Sequence, residues 1–155
     1  MALRSRLALL LVVALFAPAC EEDITGPTGN QAALAVTVDP NPVPVSQSPL
    51  TGVVSVGYKI VITETNGGSG ELIFVSSQIY DPETGQQVAL NYFDGADLIV
   101  FVGTKKVEPL GTVVVPVTMS YILPDFRTAA QLTMNVQMKG DQGNLLNQSL
   151  LVKIE

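Results

Sequence analysis

The stretch AQLTMNVQMK, residues 130–139, alternates apolar and polar side chains without a break. A helix repeats about every 3.6 residues, so strict alternation fits only a strand with one buried face. Ala130, Leu132, Met134, Val136 and Met138 are predicted to point inward, and Gln131, Thr133, Asn135 and Gln137 outward. GDQGN, residues 140–144, supplies a hairpin turn. LLNQSLLVKI then returns with Leu146, Leu150, Val152 and Ile154 inward.

The same alternation runs back through the chain. Leu34, Val36 and Val38 share one face of a first strand. Pro40, Pro42 and Pro44 follow and cannot donate to a central ladder, which places DPNPVPVSQSP on an edge or a crossover. Val54, Val56, Tyr58, Ile60 and Ile62 line one side of a long strand, with Ser55, Gly57, Lys59 and Thr63 on the other. Turn-rich NGGSG (66–70) and DPETG (81–85) bracket the strand ELIFVSSQIY, and QQVALNYF is a further short strand. DGAD (94–97) reads as a turn, and LIVFV (98–102) as a strand buried on both faces. A Pro-Leu-Gly turn opens the next strand, where Pro116 predicts an edge position or a bulge. The sum is seven to nine short strands with no helix after the N-terminal leader. The expected fold is all-β, a single antiparallel β-sandwich spanning 33–155. No repeat of about 20–50 residues points to a solenoid or propeller.

Composition narrows the chemistry. The chain contains no His and no Trp, and its formal net charge is −6. Without residues 1–19, which carry Arg4 and Arg6, the charge becomes −8, and the basic residues left are Lys59, Lys105, Lys106, Arg127, Lys139 and Lys153. That is too few for a basic stripe, so no nucleic-acid partner is expected. Cys20 is the single cysteine and cannot form an internal disulfide.

Residues 1–19 have the order of a signal peptide: a basic start, an apolar run from Leu7, and small residues before Cys20. Two cleavages are open. Ala17-Pro18-Ala19 has the A-x-A form of ordinary secretory processing. The same stretch resembles the lipobox of bacterial lipoproteins, a small residue followed by Cys, with Ala17 where that family usually has Leu. The resemblance implies cleavage before Cys20 and acylation (palmitate-type) of that residue, with residues 20–32 as a flexible tether. It also implies a cell-envelope location, at the bacterial outer membrane or periplasmic face. Ordinary cleavage would leave a secreted or periplasmic protein. The strand pattern, with its Pro-rich first segment, Pro-Leu-Gly-Thr before a late strand and D-x-G-N turn at 141–144, resembles bacterial immunoglobulin-like and fibronectin type III-like domains.

Each candidate site has a simpler structural reading. Glu64 with Glu71, and Asp94 with Asp97, are carboxylate pairs of the kind glycoside hydrolysis requires, but solvated turn residues are the favoured reading. Asp94, Asp97, Asp141 and Asn144 offer oxygen ligands to calcium, yet match no calcium-loop motif. Asp141 and Asn144 read as turn residues bonding their own backbone. Ser69 sits among glycines without a base to activate it. Lys105-Lys106 reads as a solvated hairpin tip, and the row Gln131, Thr133, Asn135 and Gln137 as a sheet surface or a binding face. No catalytic residue, metal or cofactor is expected. The expected function is a non-catalytic interaction or structural module, lipid-anchored at Cys20, with a protein of the envelope as partner. The alternative is a module binding carbohydrate or calcium on the sandwich loops.

Overall fold

The computed structural model describes residues 30–155. Among the described residues, nine strands form two antiparallel sheets that pack face to face. The first sheet contains β1 (Leu34–Asp39), β2 (Val45–Gln47), β3 (Val54–Glu64) and β7 (Thr112–Tyr121). The second contains β4 (Gly70–Tyr80), β5 (Gln87–Asp94), β6 (Lys106–Val107), β8 (Ala130–Gly140) and β9 (Leu145–Ile154). The orders β1-β3-β7 and β5-β4-β8-β9, with the chain crossing between sheets, make an immunoglobulin-like sandwich.

Alternation accounts for the core. Val54, Val56, Tyr58, Ile60 and Ile62 of β3 are buried beside Val113, Val115, Val117, Met119 and Tyr121 of β7. The predicted inward set of β8 is buried throughout, facing these strands from the second sheet. Val152 and Ile154 of β9 are buried, and Leu146 and Leu150 pack partly buried against the same core. In β4 a bulge between Leu72 and Phe74 shifts the phase. It leaves Ile73 partly exposed and returns Val75 and Ile79 to the core.

The Pro-rich segment is a crossover. Beyond β1 the chain leaves the first sheet, and Val43 bridges to the second, with Val43 N donating to Lys153 O at 3.1 Å. Pro116 lies in β7, which pairs only with β3 and so forms a sheet edge. Upstream of β1, Ala32 is already part of the buried core.

One predicted strand is a helix. Residues 98–102 belong to α1 (Gly95–Val102), not to a strand buried on both faces. The cause lies in DGAD, which is a helix start and not a turn. Asp94 Oδ1 accepts from Ala96 N at 2.7 Å and Asp97 N at 2.9 Å, and Asp97 Oδ2 accepts from Asp94 N at 3.2 Å. This capping box satisfies the orphan donors of the first turn. Gly103, at φ 86°, closes the other end by donating to Ile99 O. Only Leu98 of α1 is buried, where it covers the open edge between the sheets.

Candidate functional site

The outer face of the second sheet is the candidate site. Cross-strand pairing aligns Tyr92, Ser76, Asn135 and Ser149 in one row, and Leu90, Gln78, Thr133 and Leu151 in the next. Neither row contains a charged residue, although the whole chain is acidic. A neighbouring row aligns Asp94, Phe74, Gln137 and Asn147, so charge returns at that edge of the face.

These rows enclose a shallow groove of about 450 Å³, lined by Phe74, Gln78, Tyr92, Asn135, Asn147 and Ser149 among others. Phe74 and Tyr92 stack at its side, with ring centroids 5.6 Å apart and planes 24° apart. Tyr92 keeps 53% of its surface exposed. Ser76 is buried at the floor. Opposite the rings, Ser149 Oγ donates to Asn135 Oδ1 at 2.6 Å and Gln137 Nε2 donates to Asn147 Oδ1 at 2.7 Å. Both bonds use the asparagine carbonyl oxygens, so the two side-chain amides remain donors on the groove side of the sheet. An aromatic surface beside neutral donors and acceptors suits an uncharged polar ligand or a neutral protein surface.

The predicted row on β8 thus divides. Asn135 lines the groove and Gln137 bonds Asn147 of its wall, while Gln131 and Thr133 extend the same face away from it. Phe74, Tyr92, Asn147 and Ser149 escaped sequence reading because they come from three strands. Tyr92, Asn147 and Ser149 signal it only as members of the outward phase of β5 and β9, and Phe74 is masked by the bulge in β4.

The carboxylate pairs do not form sites. Glu64 is not a solvated turn residue: it is 1% exposed and takes four backbone donors. Oε1 accepts from Ala33 N and Asn66 N, both at 2.9 Å, and Oε2 from Gly67 N at 2.7 Å and Leu110 N at 3.0 Å. Burial by itself raises its pKa, but the four donors together outweigh that effect and hold it at about 2. Glu71 points elsewhere, pairing with Lys105 Nζ at 2.8 Å, and that bond lowers its pKa. Asp94 and Asp97 cap α1.

Of the four oxygen ligands considered for calcium, Asp141 bonds Ser69 Oγ and not its own backbone. The turn there closes through Gly140 N donating to Asn144 O at 2.9 Å, with Gly143 at φ 82°. Among the described residues, no three His, Cys, Asp or Glu side chains cluster as a metal site. Lys105 and Lys106 are not a hairpin tip. Lys105 lies between α1 and β6, and Lys106 opens β6 and pairs with Glu108 at 3.1 Å. Cys20, with the predicted signal peptide, lies outside the described residues. No described helix is long and apolar enough to cross a membrane.

No protein family matches the chain, and no curated protein does. Solved structures do. The Bordetella pertussis protein designated ApaA is similar at a TM-score of 0.58 and 16% identity, over 78% of this chain and 93% of its own. The structural-genomics target SoR45 is similar at a TM-score of 0.56 and 14% identity, over 77% of this chain and 84% of its own. At these identities the likeness concerns the fold alone.

Proposed function

We propose that the protein is a lipid-anchored, non-catalytic module of the cell envelope that presents the outer face of its second sheet to another envelope component. The observation carrying this reading is the pair of charge-free rows at the centre of that face, Tyr92-Ser76-Asn135-Ser149 and Leu90-Gln78-Thr133-Leu151, beside the Phe74–Tyr92 stack and the Asn147 amide, on an otherwise acidic chain. The carboxylates that sequence alone offers for catalysis are engaged in capping, turns and ion pairs. Cys20 supplies the anchor: cleavage before it leaves acyl chains on the new N-terminus, each buried CH₂ contributing about 0.8 kcal/mol.

Intact mass of membrane-extracted protein tests the anchor, comparing wild type with Cys20→Ser. The expected result is a wild-type N-terminus at Cys20 bearing acyl mass, absent from the variant. An unmodified wild-type chain in the soluble fraction overturns it.

A second reading is favoured by the ring stack. The groove would bind a neutral carbohydrate, with a sugar face on Tyr92 and hydroxyls on the two amides. Titration with uncharged oligosaccharides, wild type against Tyr92→Ala, decides. Binding that survives Tyr92→Ala, or none to wild type, removes this reading.

A further inference from the structure

Helix α1 poses a packing problem. It is apolar from Leu98 to Val102, and helices apolar all round are normally buried. Yet Ile99, Val100 and Phe101 are 51%, 78% and 65% exposed. Phe101 leans edge-on against Phe93, centroids 5.5 Å apart, and the three residues are consecutive on α1 and largely exposed, with Val100 the most exposed of them. Contiguous exposed apolar surface of this kind marks an interaction site.

The patch lies at the end of the sandwich where the chain comes in. Gly95 sits against the Leu72 carbonyl, Leu72 N donates to Lys105 O at 2.7 Å, and β6 pairs with Gly70 and Glu71. Immediately beside Gly70, Asn30 and Ala32 pack on Gly67 and Gly68, and Asn66 Nδ2 donates to Gln31 O at 2.9 Å. Leu110 and Leu145, 69% and 57% exposed, belong to the same end. Ten residue steps separate Cys20 from Asn30, a reach of at most about 35 Å. The opposite end also exposes Leu50, Ile122 and Phe126. It is farther from Cys20 by the length of β3, roughly 36 Å for an 11-residue strand.

Resting on the anchored reading above, we infer that Ile99, Val100 and Phe101 seat in the headgroup–acyl boundary of the bilayer that holds Cys20. Shallow insertion of an apolar surface adds to lipid anchoring in the way interfacial segments do.

The chain has no Trp, so one introduced indole reports its own surroundings. The chain from Cys20 to Glu155 carries either Phe101→Trp or, as the distal control, Leu50→Trp. Coupling Cys20 to maleimide-phosphatidylethanolamine in vesicles of phosphatidylethanolamine and phosphatidylglycerol supplies the anchor whether or not cells acylate it. The expected result is a blue-shifted emission, quenched by brominated lipid, for the indole at 101 and no change for the indole at 50. Adding Val100→Glu, at an exposed site, should abolish the shift. Unchanged emission at 101 on anchoring overturns the inference, as does an equal change at 50. A shift at 101 that grows with protein concentration before vesicles are added overturns it too, by showing that a second copy covers the patch. A failed acylation result in the mass experiment counts against the anchor and leaves this measurement standing.

Discussion

Glu64 Oε1 lies 2.9 Å from Ala33 N and ties the start of the first strand to the end of the third. The same carboxylate holds the turn at Asn66–Gly67 and the loop at Leu110. One buried anion therefore fixes three segments at the end of the sandwich where the chain comes in.

Glu64→Gln should be strongly destabilising. A carboxamide presents one oxygen, so two of the four donors would face an NH₂ group. Leaving two buried donors unmet costs roughly 2–4 kcal/mol. Urea unfolding at neutral pH measures it, and a midpoint equal to wild type would refute the keystone role.

The acid limb of stability should carry the same signature. The folded pKa of Glu64, about 2, lies below its ordinary value of 4.5. Its contribution is therefore fully present above pH 4.5 and fades as pH falls towards 2. Unfolding free energies measured across that window should fall more steeply for wild type than for Glu64→Gln.

Leu98→Ala and Val100→Ala separate a helix from a two-sided strand. Leu98 is fully buried and Val100 is 78% exposed. Truncating Leu98 should cost about 2–4 kcal/mol, and truncating Val100 no more than about 0.5 kcal/mol. Comparable losses at both positions would contradict the helix.

Two tyrosines should titrate late. Burial pushes Tyr58 up to about 12, against a lowering bond with Ser77, and burial likewise pushes Tyr121 up to about 12. Tyr121 OH donates to Thr128 O and pins the β7–β8 connection. Both raised values favour the neutral phenol, so their contribution is present below pH 10 and lost as pH rises through about 12. Phenolate absorbance should lose about half its amplitude near pH 12 in Tyr58→Phe or Tyr121→Phe, and all of it in the double variant.

The sequence carried most of the architecture because strand faces repeat every second residue. Along β3 and β8 nearly every inward side chain is apolar, so the pattern and the burial coincide. β4 reads less cleanly because the bulge at Ile73 changes phase midway. LIVFV misleads because five apolar residues look alike on a buried strand and a short helix; Asp94 and Asp97, spaced as a capping box, were the available signal. Glu64 misleads because a charged residue beside a turn is usually solvated, and two of its four donors, Ala33 and Leu110, come from distant chain. The groove is least legible, since Phe74, Tyr92 and Asn147 meet only through cross-strand register.

Pro116 has a consequence beyond its own strand. It sits at the middle of β7 opposite Lys59, and lacks the N–H that any added strand would need there. An open edge with a gap in its donor row is a poor template for another chain. Where copies of the chain crowd together, one imino acid keeps neighbours from zipping into filaments along that edge.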